Sequence, residues 1–322
     1  MTWMVTGGAG YIGAHVIREF MGAGISVVAL DNLSTGVRTF VPDDVPFVEA
    51  DLLDSATVRS ALSDHSVGGV VHIAGFKFAG VSVERPLHTY RQNVTAMMSL
   101  LEAMELEGVD RIVFSSSSSV YGNAASGLVS EEFGFNPTSP YGESKVIGEW
   151  LLRNQGVATN LIHTSLRYFN VVGSGDHAVP DVSPHNLLSM VFAGLENNRR
   201  PVIFGNDYDT PDGTCIRDYI HVSDLARAHV NAAQRMDAGE SVEHAYNLGS
   251  GVGTSVAEMM AAVSRVTGID FTPEIGPRRP GDPARVVASG VKASSDIGWR
   301  MTHSLDDMIS SAFEARQYLP SA

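Results

Sequence analysis

The sequence predicts an α/β fold, a doubly wound parallel sheet followed by a smaller C-terminal α/β lobe. Three observations carry that expectation. Through the first half of the chain, short β-branched runs alternate with turns and with apolar residues at helical spacing. The runs are apolar almost without a break, as strands covered on both faces of a parallel sheet must be. Beyond Asn170 the regularity fades, and proline, glycine and aspartate thicken over residues 173–184, 205–213 and 273–283, as in loops that shape a second lobe.

Taken in order, strands are expected at residues 3–6, 26–30, 46–50, 69–74, 111–116 and 160–168. A helix over 11–21 starts directly after glycines, Asp54 is placed to cap a helix reaching residue 61, and Pro86 can open a long helix to about residue 107. These elements assign 1–168 to the first lobe and 169–322 to the second, with the chain free to cross between them. A length of 322 residues suits two unequal lobes around a cleft.

Composition narrows the class. Hydrophobic residues make up 44% and charged residues 18%, and no apolar run approaches the roughly 20 residues that cross a bilayer. No membrane partner is expected. The formal charge of −14, without a basic stripe, argues against nucleic acid. A small diphosphate is another matter, since two or three arginines focused in a pocket suffice to hold it. Cys215 is the single cysteine and the histidines lack ligand spacing, so neither an internal disulfide nor a metal site is expected. Residues 1–6 lead at once into a glycine turn, with no room for a signal peptide, and the expected location is cytoplasmic.

The first strand ends in Thr6-Gly7-Gly8-Ala9-Gly10-Tyr11-Ile12-Gly13 and enters a helix. Gly7 and Gly10 permit a tight turn and close approach of backbone to a pyrophosphate, Gly13 lets helix and sheet touch, and the helix N-terminus faces the negative charge. A glycine spacing alone is weak, and an ordinary strand-turn-helix junction would look similar. Asp31 strengthens the dinucleotide reading: it closes the second strand 18 residues after Gly13, where an acid accepts from ribose hydroxyls and repels a 2′-phosphate. NAD is therefore expected over NADP, in a Rossmann-type sheet. Asp51 reads equally as an adenine contact or as a strand-end cap. Ala74-Gly75-Phe76-Lys77 leaves the fourth strand at the edge where a cofactor crosses.

The fifth strand runs into Ser115-Ser116-Ser117-Ser118-Ser119-Val120-Tyr121-Gly122, and 24 residues after Ser117 comes Tyr141-Gly142-Glu143-Ser144-Lys145. Tyrosine and lysine four apart share one helix face. Of nine tyrosines only Tyr141 has a lysine at i+4. A surface helix pair is the plainer reading; the chemical one needs a phenol, ordinarily ionising near pH 10, to act as a base at neutral pH. A neighbouring ammonium and a cationic nicotinamide would both favour phenolate, and a shift of about three units corresponds to roughly 4 kcal/mol. Lys145 supplies the first charge. A serine hydroxyl at the strand end can complete a short proton relay.

These motifs resemble the extended short-chain dehydrogenase/reductase superfamily, and within it the UDP-glucose 4-epimerase (UDP-galactose 4-epimerase) family. Val5 to Gly13, Asp31-Asn32-Leu33, Ala74 to Lys77, the serine run with Val120-Tyr121-Gly122, Ser139-Pro140-Tyr141-Gly142 and Arg167-Tyr168-Phe169-Asn170 carry the likeness in the first lobe. Phe204-Gly205-Asn206-Asp207-Tyr208, Asp212-Gly213-Thr214, Arg217 to Val222, Tyr246 to Gly249 and Arg278-Arg279-Pro280-Gly281-Asp282 continue it almost to the C-terminus. Coverage this long separates a family from a shared fold.

The resemblance implies reversible 4-epimerisation of UDP-glucose and UDP-galactose through a transient 4-keto sugar and bound NADH. Tyr141 takes the O4 proton, Lys145 holds the ribose and tunes Tyr141, and Ser117 completes the relay. It implies an NAD site built from Gly7, Gly10, Tyr11, Ile12, Gly13, Asp31, Asn32, Ser34, Gly36, Asp51, Leu52, Ala74, Gly75, Lys77, Asn93, Ser115 and Tyr168 together with Tyr141 and Lys145. It implies a UDP-hexose site of Lys77, Ser117, Tyr141, Phe169, Asn170, Asn186, Leu187, Phe204, Arg217, Arg279, Asp282 and Val286. Arg217 and Arg279 resemble the diphosphate and uridine clamps, and Asp282 a uridine ribose contact. Arg167, inside a strand, reads as an ion-pair partner. A homodimer follows mainly from the resemblance, through the helix of residues 86–107 and the Tyr141 helix with its Ile147, Trp150 and Leu151 stripe.

Two departures from the family pattern stand out. The loop over 173–184 is short and His185 precedes Asn186. Val286 stands where some relatives have a bulky aromatic beside the sugar's C2 substituent, so UDP-GlcNAc and UDP-GalNAc are possible substrates unless Arg285 folds inward. The enzymatic rival is a nucleotide-sugar 4,6-dehydratase or decarboxylase; dehydratases characteristically carry an Asp-Glu pair beside the fifth strand, where this chain has Ser116, Ser117 and Ser118. The rival from another class, a non-enzymatic NAD sensor, has no need of Tyr141, Lys145 and Ser117 together.

Overall fold

The computed structural model describes residues 1–123, 128–279 and 282–318. Its centre is a sheet of seven parallel strands, β1 (Thr2–Thr6), β2 (Ser26–Asp31), β3 (Phe47–Glu49), β4 (Val67–His72), β5 (Arg111–Ser115), β6 (Ile162–Tyr168) and β7 (Ala245–Leu248), in the order β7-β6-β5-β4-β1-β2-β3. The order reverses beside β1, which opens a crevice at the carboxyl ends of β1 and β4. Alternation decides the layers. Trp3, Val5, Ala29, Val71, Val113 and Leu166 point into one apolar cluster, and Met4, Val28, Leu30, Val70, Ile112 and Phe114 into the other. Both faces are covered, which is why the strands read as unbroken apolar runs.

Helices α1 (Tyr11–Gly22), α2 (Ser55–Asp64), α3 (Ala96–Glu107), α4 (Pro140–Thr159) and α5 (Val222–Asp237) supply the cover. Asp54 caps α2 by accepting from the Thr57 amide, and Ser139 caps α4 by accepting from Gly142 N at 3.2 Å, with Pro140 at the first helical position. The chain crosses between lobes. After residue 169 it returns as α5, whose buried alanines 226, 228, 232 and 233 let it pack closely against α1, and then as β7, which extends the sheet beyond β6. The strand expected from residue 160 starts at Ile162, because Asn160 ends α4 in the left-handed conformation with φ +61°.

The single helix expected from Pro86 is divided. An α-turn over Pro86–Tyr90 passes into a π-turn over Arg91–Thr95 before α3 begins. The wide turn puts Asn93 inside, where its amide holds both the N–H and the C=O of Phe76, at 2.6 and 3.0 Å.

The second lobe is built on short strands. Ile216–Arg217 lies between Thr254–Ser255 and Arg285–Ala288, and Tyr219–His221 pairs in parallel with Asn170–Val172. A separate apolar cluster around Leu188, Phe192, Met259, Val263 and Ile309 holds it together. No helix among the described residues is long and apolar enough to cross a membrane.

Candidate active site

The site is assembled at the carboxyl edge of the sheet. Gly7 leaves β1 with φ +72°, a conformation that favours glycine, and a Cβ there would stand 2.8 Å from the Ala74 nitrogen. At Gly13 a Cβ would lie 2.1 Å from the Gly7 carbonyl oxygen, so nothing larger than hydrogen fits where α1 crosses the turn. Gly10 caps α1 with no side-chain partner and no acid in the first turn, leaving Tyr11, Ile12 and Gly13 to open a positive helix end toward the crevice.

Asp31 is 8% exposed and accepts from Ala9 N at 3.0 Å and Leu33 N at 2.8 Å. Burial pushes its carboxyl up from the usual value, against those two hydrogen bonds. Gly36 packs on the carboxylate, since a Cβ there would meet Oδ1 at 2.8 Å. Asn32 bridges outward: its amide donates to Asp51 at 2.9 Å and accepts from Ser34 N at 3.0 Å. Asp51 also accepts from Leu53 N at 2.9 Å, and Leu52 is buried beneath it. The glycine turn, the bare helix end and the carboxylate in place beside it fit a dinucleotide without rearrangement.

The catalytic candidates stand on β5 and α4. Lys145 is 6% exposed and donates from Nζ to the Ser115 carbonyl at 2.8 Å, with Nζ 4.7 Å from the Phe114 ring centroid and 5.8 Å from that of Tyr141. Burial brings its pKa down to about 8, against the charge of Glu149 one turn later. The Tyr141 hydroxyl lies near Ser117, whose own hydroxyl also meets Ser119 at 3.2 Å, and Tyr168 lies near both Tyr141 and Ser115. Four side chains thus converge.

Of the two charges expected to draw the Tyr141 pKa down, the Lys145 ammonium does not do so: burial raises the phenol, and only nearby Ser117 works in the other direction. Depth in the fold outweighs a lysine whose ammonium is turned to a backbone carbonyl.

The pocket wall is braced from behind. Arg167 pairs with Glu149 through contacts of 2.6 and 2.9 Å, both side chains under a tenth exposed, while Ser116 donates to the same carboxylate at 2.6 Å and Arg167 reaches the Tyr121 hydroxyl at 2.8 Å. Tyr121 continues to Asn247 on β7 at 2.7 Å. Tyr141 N donates to buried Ser82, and Asn93 donates to Ser144 at 2.8 Å, so Asn93 spends its amide on the protein.

The substrate candidates gather from the second lobe. Arg217 lies 3.5 Å from Asp282 and donates to the Pro283 carbonyl at 2.8 Å, and Val286 is its parallel partner in register. Arg279 stacks over Phe204 at 4.0 Å. Phe169 is buried against Val120, Tyr121 and Val146, with Val286 at the edge of that cluster. Arg285 turns to the Val252 carbonyl at 3.2 Å rather than inward. Asn170 donates to the Asp218 carbonyl at 2.9 Å. Asn186 donates to Asp181 at 2.6 Å, and Leu187 joins the second lobe's cluster. His185 packs edge-on against Phe78 at 4.8 Å, bringing the short loop onto the Lys77 segment, where Asp181 faces Lys77 with its charge. Pro280 and Gly281 lie outside the described residues.

A profile of the NAD dependent epimerase/dehydratase family matches residues 3–249. The chain belongs to this family. It is 40% identical over 321 residues to the UDP-glucose 4-epimerase of Bacillus subtilis (strain 168), covering 96% of this chain and 94% of that one. Its fold is similar to that of the Brucella ovis UDP-glucose 4-epimerase in complex with NAD, with TM-score 0.94, 37% identity and 98% of each chain covered. It is also similar to the Bifidobacterium longum UDP-glucose 4-epimerase in complex with NAD+ and UDP, with TM-score 0.91, 34% identity and 99% of each chain covered.

Several residues of this epimerase/dehydratase chain went unmarked in the sequence. Glu149 sits one turn beyond the lysine, a spacing that could have drawn attention. Asp218, inside a motif that carries the likeness but given no role there, is wholly buried and accepts from Ser250 N, Gly251 N and Ala288 N, tying three segments of the second lobe together. Ser82 and Asp181 carried no local signal. Among the described residues no group of His, Cys, Asp and Glu is placed to hold a metal ion.

Proposed function

We propose that this chain is a UDP-glucose 4-epimerase, interconverting UDP-glucose and UDP-galactose reversibly through a transient 4-keto sugar. The observation that carries the reading is the convergence of Tyr141, Ser117 and Lys145 at the crevice just beyond the glycine turn. Likeness to named 4-epimerases over nearly the whole chain narrows the reaction within the family. Bound NAD supplies the acceptor and donor of the hydride at C4. Tyr141 takes the O4 proton through or beside Ser117 and returns it after the keto sugar has turned over. Lys145 contributes a positive charge at the ribose. The residues assigned above to the cofactor and the sugar nucleotide bind and orient them, Asn93 by holding the Phe76 backbone rather than by contact, with Arg217 and Arg279 toward the diphosphate and uridine end.

A dehydratase needs a free acid beside Ser117. Glu149, which reaches Ser116, is held in its bidentate pair with Arg167, and this favours the epimerase. Val286 and the outward turn of Arg285 leave the C2 side of the sugar with a small wall, which supports tolerance of N-acetylhexosamine nucleotides. Exposed apolar side chains on neighbouring helices, Val83 and Leu87 with Trp150 on α4, support a homodimer. A cytoplasmic location fits the single buried free cysteine.

The test is incubation of the purified protein, with no cofactor added, with UDP-galactose and separately with UDP-GalNAc, followed by sugar analysis. Gluco-configured product from UDP-galactose is expected. A 4-keto-6-deoxy sugar would put the dehydratase in its place, and no product from UDP-GalNAc would withdraw the N-acetyl tolerance alone.

A further inference from the structure

Behind the catalytic strand end, on the face of the sheet covered by α5, lies a histidine that none of the motifs contains. His229 is wholly buried, and both its ring nitrogens are engaged: Nδ1 lies 2.9 Å from the Leu225 carbonyl one turn earlier, and Nε2 lies 2.9 Å from the Ser115 hydroxyl. A carbonyl can only accept, so Nδ1 carries the proton, and in a neutral ring Nε2 must then accept. Burial holds the ring neutral, with its pKa down at about 4. The tautomer is therefore set by the backbone of α5, not by the site.

The polarity propagates. Ser115 has one hydroxyl proton and gives it to Nε2, so its oxygen is left with lone pairs alone. The carbonyl of the same Ser115 receives the Lys145 ammonium at 2.8 Å. One residue thus joins His229 to the lysine beside Tyr141.

We propose that His229 is a positioning residue of the reaction: fixed as the Nδ1–H tautomer, it holds the Ser115 side chain and so steadies the residue whose carbonyl receives the Lys145 ammonium beside Tyr141. The inference rests on the 4-epimerase reading for its kinetic consequence but not for the tautomer itself. The groups that could disturb it are Lys145, Tyr141, Tyr168, and His72 in the same strand layer, which is itself held neutral by burial.

Two measurements on the holoenzyme test it separately. Nitrogen NMR of the imidazoles should show His229 protonated at Nδ1 alone and non-titrating from about pH 6 to about pH 9. A ring protonated at Nε2, or one that titrates in that range, overturns the proposal whatever the substrate proves to be. In kinetics, His229→Leu should lower kcat roughly tenfold with KM within about twofold, the scale of one lost orienting hydrogen bond. His229→Gln, whose amide oxygen can still accept from Ser115, should recover most of that loss. Ser115→Ala, which disturbs packing little, should reproduce it, and the double variant with His229→Leu should be no worse than either single one. Equal activity of the Leu and Gln variants, or additive losses, would contradict the proposal. Absence of 4-epimerase activity in the unmodified enzyme would instead sink the functional reading and leave the NMR result standing.

Discussion

Replacing Glu149 by glutamine removes one charge from a buried cluster while keeping its shape. The carboxylate makes three contacts of 2.6, 2.9 and 3.2 Å with Arg167 and accepts from Ser116 at 2.6 Å, and the pair's side chains are 8% and 7% exposed. Once the charge is gone, the Arg167 guanidinium remains buried with neutral acceptors alone, the glutamine amide oxygen, the Tyr121 hydroxyl and the Glu131 carbonyl. Breaking such a pair from one side costs about 3–5 kcal/mol, most of it the exposure of an uncompensated charge to a poorly polarisable interior. For a chain of this size that corresponds to a fall in Tm on the order of 10 °C.

The same substitution has a kinetic signature. Burial lowers Lys145 to about 8 while the Glu149 charge supports it, so removing that charge lets the ammonium lose its proton at lower pH. If charged Lys145 is the working form, activity disappears as pH rises through its folded pKa. The alkaline limb of kcat should therefore move to lower pH in Glu149→Gln. Thermal melting of the holoenzyme followed by circular dichroism, together with a kcat profile, reads both effects. A melting temperature within a degree or two of the parent and an unmoved alkaline limb would refute the reasoning about the pair and about its support of Lys145.

Two further outcomes follow from the geometry. Gly13→Ala places a methyl 2.1 Å from the Gly7 carbonyl, and the shift needed to relieve it, about 1–3 kcal/mol or more, should leave a protein that purifies without nicotinamide absorbance or does not fold. Arg217→Ala should raise KM for UDP-galactose about 10–100-fold with a much smaller change in kcat, since a charge-assisted contact of about 1.5–3 kcal/mol to a remote diphosphate binds ground and transition states alike. Steady-state kinetics at fixed ionic strength checks it.

The sheet was legible because parallel strands covered on both faces must be apolar throughout, and β1, β2, β4 and β5 are. β7 was not, since Ala245–Leu248 is four residues long and takes its place by extending β6 rather than by any pattern of its own. The interruption of the helix after Pro86 was hidden for a different reason: residues 91–95 contain no glycine or proline, and the π-turn is set by what Asn93 grips on another segment. In the site, motif residues announced themselves through fixed local spacings such as Tyr141 and Lys145. Partners brought by the fold did not. Ser115 and His229 stand 114 positions apart, and no local signal joins them. The upward push of burial on Tyr141 was not legible, because spacing conveys which charges are near but not how deeply a phenol is buried.

The central claim is that Tyr141 handles the O4 proton, and Tyr141→Phe tests it with least ambiguity, because only the hydroxyl is removed from a residue already packed at 9% exposure. UDP-galactose turnover should fall by about 10²–10⁴-fold, the usual contribution of a positioned acid–base group, while nicotinamide still copurifies and the melting temperature holds. Turnover that persists near the parent rate would take the proton transfer away from Tyr141 and leave the mechanism without its base.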